Sequence, residues 1–231
     1  MIIVFCFAII PFPVSAQKSD VFFREDFNDL TQWEPLYFKK ISKHSEYSVE
    51  SNGIEQYLKA ESSASASGII SRTEFNVFDC PRLRWRWKIS NVYQKGNALR
   101  KEGDDYPGRV YVIFQYDPGK ASYAKRVKYG LAKRMNGEYP PHSSLNYIWA
   151  NREHTDDVLT NTYAQNAKMI LLREGSDSAG IWIEEDVNIL EDYRRAFHED
   201  PPATARLAIM NDSDNTGESA VSYIDYIEVY R

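Results

Sequence analysis

Cysteine is nearly absent. The chain has two, Cys6 and Cys80, and Cys6 falls inside an apolar N-terminal stretch. If that stretch is removed, residues 17–231 keep a single thiol, which excludes an intrachain disulfide. Export with one cysteine suits a periplasmic or secreted protein that is stable without cross-links. Cys80 stands directly before Pro81 at the entry to a strand, where buried apolar filler is expected rather than a reactive thiol.

A dominant charge is missing too. Twenty-eight Lys and Arg are interspersed with 33 Asp and Glu, for a net charge of −5. Phosphate binding needs a strongly basic face, so nucleic acid is not expected as a partner. Beyond the first sixteen residues there is no long apolar run. Met1–Ala16 is shorter than the roughly 20 residues that span a bilayer, and it ends in Val14-Ser15-Ala16 before Gln17. Small residues at the −3 and −1 positions read as a cleavable leader. No Lys or Arg follows Met1, so an uncleaved N-terminal anchor is the other reading. The four histidines, His44, His142, His154 and His198, show neither metal-ligand spacing nor a triad pattern. No Walker loop, Gly-rich dinucleotide turn or Ser nucleophile elbow is present.

Aromatic residues are what the chain has in plenty: 14%, including 16 Tyr and 5 Trp. They favour strands, and alternation dominates the pattern. From Arg82 to Ser90, Leu83, Trp85, Trp87 and Ile89 share one face, and Arg82, Arg84, Arg86 and Lys88 the other. Further strands are expected at 21–27, 47–49, 56–60, 69–75, 110–116, 145–150, 168–172, 181–187, 206–210 and 220–230. Many short strands separated by Gly, Pro, Asn and Asp predict one all-β domain over 17–231, an antiparallel sandwich. Helices are expected at 122–135, which is basic and amphipathic, and around Leu190, Tyr193, Arg194 and Phe197. The longest irregular stretches, 91–108 and 136–144, have the length of functional or mobile loops.

Four segments occur in a specific order: Leu83-Arg-Trp-Arg-Trp-Lys; Gly103-Asp104-Asp105 with Arg109-Val-Tyr-Val; Leu145-Asn-Tyr-Ile-Trp149; and Ile209-Met-Asn-Asp212-Ser-Asp-Asn-Thr-Gly217. Together they closely resemble a bacterial exported family known as domain-of-unknown-function family 3047. That resemblance covers nearly all of 17–231 and implies no activity. Phe23-Arg24-Glu25-Asp26-Phe27-Asn28 with Trp33, and Ser222–Tyr230, resemble the opening and closing strands of concanavalin-like jelly-roll sandwiches. This second resemblance implies that the two ends pair. It also implies a structural calcium held by Asp225 with Glu25 or Asp26, the cation drawing on several hard oxygens.

Two acidic motifs invite catalytic readings and do not complete them. Glu184 and Asp186 share a strand face, as in laminarinase-type glycosidases, but Ile189 stands where the second catalytic Glu belongs. Asp212-Ser-Asp214-Asn-Thr216-Gly217 resembles a phosphatase nucleophile motif or the start of an EF-hand loop. Too little chain follows for the first, and Tyr223 replaces the closing Glu of the second. A tight turn is the expectation there.

Asp104, Asp105 and Arg109 close the long loop, where they grip either a polar ligand or a metal, or simply anchor the loop as a salt bridge. Asn146, Trp149, Asn151 and Arg152, with Asn161, Tyr163 and Asn166, bring the aromatic, amide and guanidinium groups that sugar hydroxyls need. The expected ligand set is Asp104, Asp105, Arg109, Asn146, Trp149, Arg152 and Tyr163, in a monomeric glycan-binding protein of the periplasm or cell envelope. Two alternatives stand beside it: a polysaccharide lyase or hydrolase, with Tyr163 and Arg152 as base and neutraliser, and an envelope interaction protein with no sugar site.

Overall fold

Period-two alternation requires every long strand to bury one face, and two sheets facing each other satisfy all of them at once. The computed structural model describes residues 20–136 and 139–231; the expected leader, 1–16, lies outside them. Thirteen strands are described: β1 Val21–Glu25, β2 Trp33–Leu36, β3 Glu46–Ser51, β4 Gln56–Ser63, β5 Ala66–Asn76, β6 Arg82–Ile89, β7 Arg109–Phe114, β8 Ser143–Ala150, β9 Val158–Thr160, β10 Ala167–Glu174, β11 Ile183–Asn188, β12 Thr204–Asp212 and β13 Ser219–Tyr230. The helices are α1, Tyr123–Asn136, and α2, Ile189–Phe197.

One sheet has the order β11-β6-β13-β4-β3. β1 joins it by continuing along the β13 edge that β4 leaves, so the first and last strands pair. The other has seven strands, β2-β5-β12-β7-β8-β10-β9. The fold is the expected β-sandwich, with one departure from antiparallel pairing: β8 and β10 run parallel. That pair brings the chain back across the sheet through the loop after β8 and the short β9.

Between the sheets lies an aromatic core. Trp85 packs edge-on against Trp87 at 5.4 Å, Tyr147 lies 5.6 Å from Trp85, and Trp149 lies 5.6 Å from Trp87. Cys80 is buried in the same core. One amide ties the two sheets together. Asn211 Nδ2 donates to the carbonyls of Ala60 and Ala220, while its Oδ1 accepts from Ser62 and Tyr93. α2 closes one end of the core. Asn188 caps it by accepting from the amides of Leu190 and Glu191, and Tyr193 packs against Phe114 at 4.7 Å.

The basic face of β6 points outward from the six-stranded sheet, where each arginine meets an acid. Arg82 pairs with Asp186, Arg84 and Arg24 converge on Glu228, and Arg86 pairs with Asp225. Glu184 and Asp186 lie on this same face, bonded to the hydroxyls of Tyr226 and Tyr230. Together these side chains form one network of ion pairs and hydrogen bonds across the face.

Candidate functional site

The outer face of the seven-stranded sheet is built differently. Val110, Val112 and Phe114 of β7 point into the core, so Arg109 and Tyr111 point out. Alternation on β8 sends Leu145, Tyr147 and Trp149 inward and Ser144 and Asn146 outward; on β12 it sends Met210 and Asp212 outward. Register aligns these residues: Tyr111 lies opposite Asn146, and Arg109 opposite Met210. The loop 91–108 folds over one end of this face, where Ala98 and Tyr106 pack on Ile148, Ala150, Met169 and Leu171. Gly96 allows that closure, because a Cβ there would lie 2.1 Å from Asn151 Nδ2. Asn151 in turn donates to Asp105 O and accepts from Tyr93 N at 2.8 Å.

The result is a cavity of about 570 Å3, lined by Asp104, Arg109, Tyr111, Asn146, Asn161 and Asp212 within and by Phe38 and Tyr163 towards its rim. Arg109 is its electrostatic centre. It donates to Asp212 Oδ2 at 2.5 Å and to Tyr111 Oη at 3.2 Å, lies 3.9 Å from Asp104 Oδ1, and stacks over Tyr106 at 4.2 Å. Asn161 holds the other oxygen of Asp104 at 2.8 Å. Three polar atoms in the lining residues are buried without a hydrogen-bond partner: Asp104 Oδ1, Arg109 Nε and Asn146 Oδ1. Their residues are 5%, 4% and 2% exposed. A buried polar atom left without a hydrogen bond costs roughly 1–3 kcal/mol, and three of those among the described residues gather in the lining of this one cavity.

Carboxylates outnumber cations here. Asp105, Asp212 and Asp214 each place an oxygen within 4.8 Å of the others. Asp105 accepts from the amides of Asn215, at 3.3 Å, and Thr216, at 2.6 Å, which pins the turn after β12 to the long loop. Burial pushes the Asp105 carboxyl above its usual range, although those amides and Arg109 pull it back. Asp212 is likewise pushed up by burial, then drawn down by Arg109 and raised again by Asp105 and Asp104. Burial pushes the Tyr111 hydroxyl up to about 12.

Of the seven residues expected from sequence, Asp104, Arg109, Asn146 and Tyr163 line this cavity. Asp105 stands behind it as the loop anchor. Trp149 is wholly buried in the core and donates to Gly175 O at 3.0 Å. Arg152 reaches Gln94 O at 3.1 Å, outside the lining, and Tyr163 bonds to Lys101 O and Asn215 Nδ2, so the expected base-and-neutraliser pair is divided. Of the chain-end acids, Asp26 and Asp225 line one pocket together with Arg24, and Glu25 is not among its lining residues. Glu25 accepts from Phe27 N at 2.8 Å and Trp33 Nε1 at 3.2 Å, Asp26 meets Arg24, and Asp225 meets Arg86. Sequence reasoning named Asn161 beside Tyr163 without placing it in the ligand set, read Asp212 as part of a tight turn, and assigned Tyr111 no role. The parity of β7 and β12 was the signal for Tyr111 and Asp212: each lies two residues from another outward-facing cavity residue.

A family model described as Protein of unknown function (DUF3047) matches residues 31–228. The chain belongs to this family. No curated protein matches the sequence. Several solved structures are similar to this chain at low identity. Endoglucanase 3 of Trichoderma harzianum, from family GH12, is 8% identical with a TM-score of 0.40, over 87% of this chain and 99% of that one. The domain CtCBM11 is 11% identical at 0.41, over 94% and 97%. The enzymatically active domain of bacteriophage CBA120 tailspike protein 4 is 6% identical at 0.39; the match covers 87% of this chain and only 20% of that one. All three are distant likenesses.

Proposed function

We propose that this DUF3047 protein binds a carbohydrate chain in the cavity on the outer face of its seven-stranded sheet, as an exported protein of the periplasm or cell envelope. The observation that carries this reading is the set of three unpaired, buried polar atoms: two acceptors, Asp104 Oδ1 and Asn146 Oδ1, and one donor, Arg109 Nε. A sugar hydroxyl both donates and accepts, so neighbouring hydroxyls of one ring answer such a mixed set. The volume falls within the roughly 300–1,000 Å3 of small-molecule sites, and Tyr163 and Phe38 offer apolar surface to ring carbons. The test is a glycan array with the full chain. Wild type should bind a defined set of glycans, and Asn146→Ala should lose at least tenfold in affinity. If nothing binds, or if Asn146→Ala binds equally well, the reading fails.

A lyase is the second reading, favoured by one contact: the Tyr111 hydroxyl sits 3.2 Å from Arg109 Nη1 in the same cavity. Against it, a hydroxyl held near 12 keeps its proton at neutral pH, so binding stands first. Unsaturated products from a bound polysaccharide would reverse that order.

The carboxylate excess of Asp105, Asp212 and Asp214 supports a hard-cation site, calcium by preference, beside the sugar cavity. A melting temperature that calcium raises and chelator returns would support it; one that neither moves would remove it.

A further inference from the structure

Residues 118–137 hold six cations, Lys120, Lys125, Arg126, Lys128, Lys133 and Arg134, and no acid, within a chain of net charge −5. Five of the six lie on α1. The helix already has an inward face. Tyr129 packs against Tyr116 at 4.9 Å and donates to Pro141 O at 3.0 Å, and Lys125 Nζ donates to His142 O at 3.1 Å. On the opposite side, Tyr123, Val127 and Leu131 recur every four residues and form a ridge. They are 83%, 58% and 59% exposed. The helical repeat places Arg126 on one flank of the ridge, Lys128 on the other and Arg134 beside it, all exposed.

Each class of partner can be weighed against that pattern. A second copy packed ridge to ridge would bring two sets of like charges together. A soluble polyanion would answer the cations and leave the apolar ridge in water. An uncharged apolar partner would answer the ridge and leave the cations without counter-charge. An anionic lipid surface answers both, with headgroups beside the cations and the acyl boundary under the ridge.

We propose that α1 is a membrane-surface helix, which lays Tyr123, Val127 and Leu131 into an anionic lipid interface without crossing it. Among the described residues no helix is long and apolar enough to cross. α1 follows the Phe114 end of β7, whereas the cavity lies at its Arg109 end. The two sites are therefore separate, and the lipid proposal does not depend on the sugar reading.

The test is co-sedimentation of the full chain with vesicles of one part phosphatidylglycerol to three parts phosphatidylcholine, and with phosphatidylcholine alone. Wild type should partition at least tenfold better onto the anionic vesicles, and raising the salt should weaken binding. The double variant Val127→Asp with Leu131→Asp should lose at least tenfold while its melting temperature stays unchanged, because both side chains are exposed. Lys128→Ala with Arg134→Ala should lose several-fold, most clearly at low salt. Residues 1–16 are the same in every variant, so differences between variants report on the helix alone. Equal binding by wild type and the Asp variant would overturn the proposal. So would absence of binding to anionic vesicles, or binding only to a soluble polyanion such as heparin.

Discussion

The two outer faces of the sandwich use the same residue types to opposite ends. On the six-stranded sheet, Arg24, Arg82, Arg84 and Arg86 meet Asp26, Asp186, Glu228 and Asp225, so every arginine has its acid, with Glu228 buried beneath two of them. On the seven-stranded sheet one buried guanidinium, Arg109, faces Asp104, Asp105 and Asp212, and donor and acceptor atoms stay open. A charged face is therefore no sign of a site in itself. Open hydrogen-bonding capacity in a place closed to water is the better sign, because water cannot complete it at no cost.

Four experiments sharpen or break this contrast. The largest effect should come from Arg109→Met. It leaves buried carboxylates uncompensated and should cost about 3–5 kcal/mol in urea denaturation, whereas Arg86→Ala on the other face should cost at most about 1 kcal/mol. Equal costs would mean the faces do not differ. Next, Gly96→Ala drives a methyl group into Asn151 and should cost about 1–3 kcal/mol by overpacking. It should also weaken ligand binding, since Asn151 anchors the loop; an unchanged denaturation midpoint would show the loop is loosely held.

The third test is pH. Asp105 and Asp212 are both raised by folding. A raised carboxyl holds its proton more tightly in the folded state. Its stabilising effect is complete below the unfolded pKa and is lost as pH rises through the folded one. The difference in denaturation midpoint between wild type and Asp105→Asn should therefore change from the usual carboxylate range upward, and calcium should offset wild-type loss there. A difference flat with pH would contradict this. The smallest effect on stability should come from Tyr163→Ala. Its side chain is 58% exposed, so the midpoint should move by no more than about 0.5 kcal/mol, while glycan affinity falls severalfold.

Most of the fold was legible because alternation is strong where strands are long. The two strands the pattern missed, β2 and β9, are the edges of the seven-stranded sheet, with four and three residues. So short a strand shows no period, and Pro35 lacks an amide proton, which only an edge or bulge tolerates. For the site, Asp104, Arg109 and Asn146 were legible from residue type beside a long loop. Trp149 was misplaced by a parity the sequence itself contained: it lies three residues from Asn146, so the two face opposite ways on β8. Asp212 was hidden because its Asp-x-Asp spelling fits a turn, and only the folded chain brings Arg109 to it.

One strand ties the six-stranded sheet together. β13 pairs with β1, β4 and β6 along its length, yet follows all of them in the sequence. During synthesis each of those partners emerges with one edge unpaired until β13 has followed. Such long-range closure makes folding slower than in a protein whose neighbours in sequence are its neighbours in space. The completed sheet is then latched by β13.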